Sequence, residues 1–565
     1  MKNSLTIWIM AISLGFQAIS EAQNASLTSS AKSDARAQRV ATETKLGSIA
    51  GLDLEPEEEP LYLQHWISPN GKHFARFTDR GISIDGKERE HVGGVLPNSF
   101  VFSPDGQRNA YVAASDTGEI LVVDGKDLAH AQTIRLPIRF SPDSRHVAAI
   151  GVLDNGGQTS NVLFIDGQPT QAVEDKLEEF AFSSDSLRVL FPVTESDRSF
   201  VREQPIDLSK KATDHAHGLA RPSRNFVYGP KGVMGYFAIH ADRQVSFIYE
   251  GKDDGLLFSH IEPESISFSD DGKQFAYRGE KIKTMTVVHN GKPGIEHHTF
   301  QDGTIRSDSV RISPDGKRVA YILDQKGKFV VFIDGKPSAS YEAVETPEFS
   351  ANSQHVAFMA LKGPSAVMVI DGKESPQFAM VGMPEYSLHG QTIAHYAELD
   401  GKQFMIVNGE RHPSYEMVYS PKVSADGTKV AYSISDQGRE RVIINEKPQK
   451  AYEVAGLVNF YTGTNQIVYL ASEKEKFMLV DEAGKETKPY DAIDTSIAFR
   501  PASKRLAFVA TRGDKQFVVI DGIDGEPFDR ILFQGFETIR FTGESELDYL
   551  AVRNNELFLV HETIQ

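Results

Sequence analysis

Cysteine is absent from all 565 residues, which excludes disulfide stapling, thiolate ligation of a metal and a cysteine nucleophile. Basic residues are outnumbered, 60 Lys and Arg against 78 Asp and Glu. The resulting net charge of -18 argues against nucleic acid or an anionic membrane as the main partner. No Gly-x-Ser-x-Gly elbow, His-Glu-x-x-His pair, P-loop or dinucleotide fingerprint occurs, and no stretch has helical periodicity to carry one. Long apolar runs are missing too, apart from Leu5 to Ile19, which follows Lys2 and ends in the small residues Ser20 and Ala22. That segment predicts an export leader over Met1 to Ala22, cleaved before Gln23, with a retained anchor as the alternative. The expected location is therefore periplasmic or extracellular. From Gln23 to Pro60 the composition is polar and acidic, ending in Glu55-Pro56-Glu57-Glu58-Glu59-Pro60, which reads as a flexible tether.

What is present is one phrase written repeatedly, best seen from Val310 to Pro337. Ser313-Pro314-Asp315-Gly316 has the composition of a tight turn and Asp334-Gly335 that of a two-residue hairpin. Arg318 to Leu323 and Lys328 to Ile333 are apolar on both faces, as strands covered from both sides must be. The turn residue recurs as Ser313, Ser350, Ser387 and Ser424, then Tyr461 and Arg500. Four strands in roughly 40 residues is the period of a propeller blade. Earlier copies start at Ser68, Ser103, Ser141, Ser183, Gly229 and Ser269, and a worn copy at Thr542.

The count is thirteen blades in an all-β protein. A typical ring holds about 4–8 blades, so the count predicts tandem β-propellers, six blades over residues 61–304 and seven over 305–565, with a boundary near Pro347 as the alternative. Blades four and five are degenerate: Pro192 and Pro205 demote their strands toward an edge or a break. The last blade has residues for three strands, so another segment must close it. The donors on offer are the stretch Lys45 to Leu54 and the linker into the second ring.

The phrase Phe102 to Tyr111, repeated at Phe268 to Tyr277 and Ile312 to Tyr321, resembles the WD40-like PD40 repeat found in TolB-type propellers and in tricorn-type and prolyl-oligopeptidase-type proteases. The resemblance covers about residues 61 to 565 and implies the fold. TolB carries an α/β domain ahead of its propeller, and this chain has a tether there, so a TolB role is not implied. The oligopeptidase-type enzymes carry a hydrolase domain after the blades, for which no residues remain here.

Several constellations invite a chemical reading. His215 and His217, one residue apart between blades four and five, are candidate metal ligands; the basic neighbours Lys210, Lys211, Arg221 and Arg224 favour a solvated loop instead. His297 and His298 alternate to opposite strand faces and cannot grip one ion together. Asp521 to Gly525 and Asp270-Asp271-Gly272 are Asp-rich, yet turn chemistry explains them without calcium, and no cofactor is expected. The recurring pairs Tyr341-Glu342, Tyr415-Glu416, Tyr452-Glu453, Tyr490-Asp491 and Phe528-Asp529 read as a packed ring beside a water-facing acid. Antiparallel order sends both turn types to one side of the disc and leaves the variable loops on the other. The expected function is a non-catalytic scaffold binding a protein or peptide through that loop face, with Asp154, Asn155 and Arg439 as candidate contacts. The alternative is an enzyme, such as a lactonase-like hydrolase, with a metal held in a central channel.

Overall fold

The computed structural model describes residues 39–49 and 65–564, apart from 155, 174–176, 178, 196–197, 216–220, 231–232, 241, 420, 462–464, 495–496, 501–504 and 533–537. The leader-like segment, most of the expected tether, Asn155 and His217 lie outside the described residues.

The turn chemistry builds the blade. In the Ser-Pro-Asp-Gly turn Gly316 adopts φ 73° and donates its N–H to the Ser313 carbonyl at 2.8 Å. The Ser313 hydroxyl donates to Asp315 Oδ1 at 2.7 Å and accepts the Arg318 N–H at 3.0 Å, so the side chain closes the turn from inside. Hydrogen bonds from Ser313 and the Lys317 N–H, with the Lys317 ammonium, outweigh slight burial and hold Asp315 at about 2. At the second hairpin Asp334 and Gly335 take φ 50° and 77°, the left-handed pair that a two-residue hairpin requires. The Asp334 carboxylate then accepts the Val319 N–H at 3.0 Å and the Arg318 Nε at 2.9 Å. One carboxylate thereby ties the two turns of a blade together on one side of the disc. Arg108 with Asp124 and Arg505 with Asp521 repeat the pairing, and His73, His146 and His355 replace the arginine in other blades.

Thirteen antiparallel sheets result, twelve with their strands in chain order and the last completed by an N-terminal strand, and they form a β-propeller. The first strands of neighbouring blades touch one another, which puts them at the inner wall and the fourth strands at the rim. In blades six to ten, twelve and thirteen the inner strand is split into two short pieces, as in Thr304–Ile305 and Arg311–Ile312 around the 3-10 turn Ser307–Ser309. Blades four and five are complete despite their degenerate sequence. Pro192 lies within the second strand of blade four, where the inner strand pairs only Ala181 with Leu190 and Phe182 with Val189. Among the described residues no inner strand pairs at Pro192, and such a locally unpaired edge is where proline is tolerated.

Adjacent blades share apolar cores, and the order of these cores defines the ring. Blades one and two pack through Ala75, Ile82, Phe100 and Tyr111. At the boundary expected between two rings, Val310, Ile312 and Tyr321 of blade seven pack on Ala276, Met285 and Val287 of blade six, a core like the others. Blade thirteen packs on blade one, with Leu532, Leu550, Val552 and Leu557 against Leu46, Ile49 and Phe74. Two tandem rings would need blade six to face blade one and blade thirteen to face blade seven. The cores instead follow one another in a single cycle of thirteen.

The last blade is closed by the N-terminal segment. Arg39–Ser48 pairs antiparallel with Glu556–Ile564, from Arg39 opposite Ile564 to Ser48 opposite Glu556. The donor expected at Lys45 to Leu54 overlaps this strand and starts six residues late, because residues 40 to 45 are exposed and carry little apolar signal.

The tyrosine-acid pairs are also more than a packed ring and a wet carboxylate. Tyr341, Tyr452, Tyr490 and Phe528 are fully buried, as expected. Four of the five acids reach the next blade: Gly363 N–H donates to Glu342 at 3.0 Å, Lys474 to Glu453 at 3.0 Å, Gly513 to Asp491 at 2.7 Å and Asn554 to Asp529 at 2.6 Å. The tyrosine hydroxyls do the same at the rim, Tyr341 donating to Glu374 and Tyr452 to Glu486, both at 2.9 Å. These bonds fasten blade to blade.

Candidate functional site

The loop face offers less than its sequence promised. Ser115 pairs with Gly118, Asp436 with Arg439 and Arg512 with Lys515, so these loops are two-residue hairpins. Asp154 accepts the Gly157 N–H at 2.7 Å and serves its own turn. Arg439 forms an ion pair with Glu473 of the next blade at 2.9 Å and donates to the Ala451 carbonyl at 2.9 Å. The His215 backbone pairs with Val201 in the outer strand of blade four. His297 is buried and paired with the Tyr321 hydroxyl at 3.0 Å, while His298 is exposed, the opposite facing that strand alternation dictates. Among the described residues no three His, Asp or Glu side chains gather as a metal site.

The inner wall of blades seven to eleven collects a different set. Two residues before each turn, the inner strand presents Arg311, Glu348, Glu385 and Lys422, spaced by the 37-residue repeat and each opposite a buried alanine (Ala320, Ala357, Ala394 and Ala431). The shared register aligns them across four blades in the order plus, minus, minus, plus. Lys422 Nζ donates to Glu385 Oε1 across the blade boundary at 3.4 Å. Burial pushes Glu348 up from the ordinary carboxyl range, Arg311 pulls it down, and the charge of Glu385 pushes it up again. Burial also raises Glu385, against the pull of Lys422, and it lowers Arg311 despite the charges of Asp308 and Glu348. Two carboxyl groups that prefer their protons thus sit side by side between two cations.

Next to Glu385, the Tyr386 hydroxyl is buried without a hydrogen-bond partner. Burial raises its pKa, and Asp371 and Glu348 add to the effect. Other blades carry Ile312, Phe349, Val423 or Phe460 at this register, so the hydroxyl is an addition to an apolar position. Exposed apolar side chains occupy two further repeated registers along the inner strands of blades nine to eleven. Met380 (36% exposed) and Met417 (46%) occupy one, and Met383 (45%) and Leu457 (45%) the other. Leu457 holds φ 50°, a left-handed conformation that costs an L-residue of its bulk of order 1–3 kcal/mol. Sequence reading missed this set because each blade contributes one or two residues; aligning the blades on their turns and scanning the position two before each would have found the charges.

The raised carboxyls carry a pH dependence whose sign is fixed. A folded-state pKa above the unfolded value means that the folded chain binds more protons, so this stabilisation is complete below the ordinary glutamate pKa and is lost as pH rises through the raised values. Glu348→Gln with Glu385→Gln should therefore raise stability at neutral pH by on the order of 1 kcal/mol or less, given partial solvent screening, and leave it nearly unchanged at pH 4. Denaturant midpoints at the two pH values check this; equal gains at both would contradict it.

No family model and no curated protein matches the chain. Solved structures similar to it include the tricorn protease, at 12% identity over 82% of this chain and 57% of that one with a TM-score of 0.22. A dihydro-heme d1 dehydrogenase, NirN, is 12% identical over 60% of this chain and 72% of its own, TM-score 0.25. TolB from Acinetobacter baumannii is 13% identical over 54% of this chain and 77% of its own, TM-score 0.18. Identities and scores this low carry no argument about activity, and the fold stands on the blade topology itself.

Proposed function

We propose that this chain is an exported, non-catalytic propeller of the WD40-like PD40 type that binds a protein or peptide partner at the inner wall of blades seven to eleven. The observation that carries the reading is the repeated exposure of Met380, Met417, Met383 and Leu457 along the inner strands of blades nine to eleven, on the same wall as the Glu348–Glu385 pair of blades eight and nine. Methionine is unbranched and polarisable, suited to irregular apolar ligands, and the adjoining carboxyls favour a partner that brings a cation. The rims are poorer candidates, because their acids and tyrosines are engaged in fastening blades. A periplasmic or extracellular location rests on the leader-like segment Met1 to Ala22.

A second reading is favoured by one observation: two carboxyls with raised pKa beside an unpartnered tyrosine hydroxyl are also what an acid-base hydrolase or a calcium site in a channel would use. One experiment separates the two. Met380→Ser with Met417→Ser should weaken capture of a defined peptide selected from a displayed library at least tenfold, with the far-ultraviolet spectrum unchanged. If that double variant binds as well as the parent, while a stoichiometric metal ion is lost on Glu348→Gln with Glu385→Gln, the binding reading fails and the channel chemistry stands.

A further inference from the structure

The outer edges of the blades are blunted, with one exception. Most fourth strands pair over two to six residues, and several contain proline, as at Pro169, Pro293, Pro337, Pro413 and Pro448. Short edges and proline are the ordinary protection against pairing with another chain. The closing strand Arg39–Ser48 has ten residues and no proline, and in its sheet it is the terminal strand with only Glu556–Ile564 beside it among the described residues. Alternate residues of an antiparallel edge strand turn both N–H and C=O outward, so among the described residues this strand presents the longest outer edge on the rim. Residues 40 to 45 are exposed among the described residues.

The side chains along this edge say what would pair with it. In an antiparallel pair related by a two-fold axis at Thr44, Glu43 stands opposite Lys45 of the second copy, Lys45 opposite its Glu43, and Thr44 opposite Thr44. Opposite charges and facing threonines are both favourable cross-strand pairs. An isologous dimer needs this kind of self-complementarity, and the strand has it over its exposed central part. We propose that the free edge of Arg39–Ser48 pairs with the same strand of a second copy, so that two thirteenth blades join into one continuous sheet.

Glu43 also pairs with Arg553 at 2.9 Å and Lys45 with Glu556 at 2.6 Å, so changing either alone disturbs the blade. Thr44 is exposed and lies on the axis, which makes it the better probe. Sedimentation equilibrium of the full chain should show a monomer–dimer equilibrium. Thr44→Lys and Thr44→Glu, each placing like charges across the axis, should weaken it at least tenfold, and an equimolar mixture of the two should restore the dimer. A parent chain that stays monomeric overturns the proposal, as does a dimer unaffected by either variant. If the edge instead accepts an extended peptide of another protein, neither the parent nor the mixture dimerises. Thermal unfolding of both variants at the parent temperature establishes that the blade itself is intact.

Discussion

Arg39→Met is expected to destabilise the thirteenth blade by about 3–5 kcal/mol, the range for removing one partner of a buried ion pair. The Glu562 carboxylate is 1% exposed and accepts two bonds from Arg39, at 2.7 Å from Nε and 2.7 Å from NH2, with a third from the Tyr549 hydroxyl at 2.7 Å. The remaining Arg39 nitrogen donates to the Val518 and Ile523 carbonyls of blade twelve at 3.1 and 2.6 Å, so one side chain joins the N-terminal strand, the C-terminal strand and the preceding blade. Without it a desolvated carboxylate faces only a phenol. Burial and the charge of Glu562 raise the Tyr549 pKa, so the hydroxyl keeps its proton and goes on donating to the carboxylate without neutralising it. Adding Glu562→Gln to Arg39→Met should recover much of the loss, since the uncompensated charge is then gone. Amide exchange over 556–564 reads the effect locally. A loss below about 1 kcal/mol would mean that the pair is solvated and that backbone pairing alone holds the strand.

The second large effect concerns residues 305–565 expressed alone. Read as a separate seven-bladed ring, they should fold as one cooperative unit. The cyclic order of cores predicts otherwise. Ile305, Val310, Ile312, Tyr321 and Val330 lose Ala276, Met285 and Val287, while Leu532, Leu550, Val552 and Leu557 lose Leu46, Ile49 and Phe74. At about 1.5–3 kcal/mol for each large side chain returned to water, nine exposed residues outweigh the 5–15 kcal/mol by which folded proteins are usually stable. The piece should aggregate or bind a hydrophobic dye, with a broad thermal transition. A soluble monomer with a sharp transition would restore the boundary between residues 304 and 305.

Local structure was legible in the sequence and its closure was not, for a physical reason. Ser313 to Gly316 and Asp334-Gly335 specify their turns through bonds spanning at most sixteen residues, so each blade announces itself. Which blade meets which depends on apolar faces that are alike in every copy, and Ala276 and Met285 give no sign of whether their neighbour is Val310 or Phe74. The expectation of two rings came from the usual size of propellers and from the change from degenerate to regular repeats near Gln301 to Asp308. The closing strand shows the same limit, because Val40 to Lys45 is exposed and held by its backbone, by Arg39 and by the ion pairs of Glu43 and Lys45. At the inner wall, Glu348 and Glu385 are unremarkable in their own blades and become a pair only when the repeat sets them side by side. The acids after Tyr341 and Tyr490 were visible as a repeat, but their bonds to Gly363 and Gly513 of the following blades were not.

The central claim is that thirteen blades close one ring, with blade thirteen seated on blade one. Arg540 NH2 donates to the Pro69 carbonyl at 3.2 Å, so these two turns meet although 471 residues separate them. The chain has no cysteine, and Pro69→Cys with Arg540→Cys therefore supplies a unique pair. Treatment of the dilute monomer with a short bifunctional maleimide should give an intramolecular link in most molecules, identified by the mass of the joined peptides. A single closed ring predicts that product. If the two cysteines stay unlinked in folded monomer, while a control pair across the blade one to blade two turns links readily, blades one and thirteen are apart and the single ring is wrong.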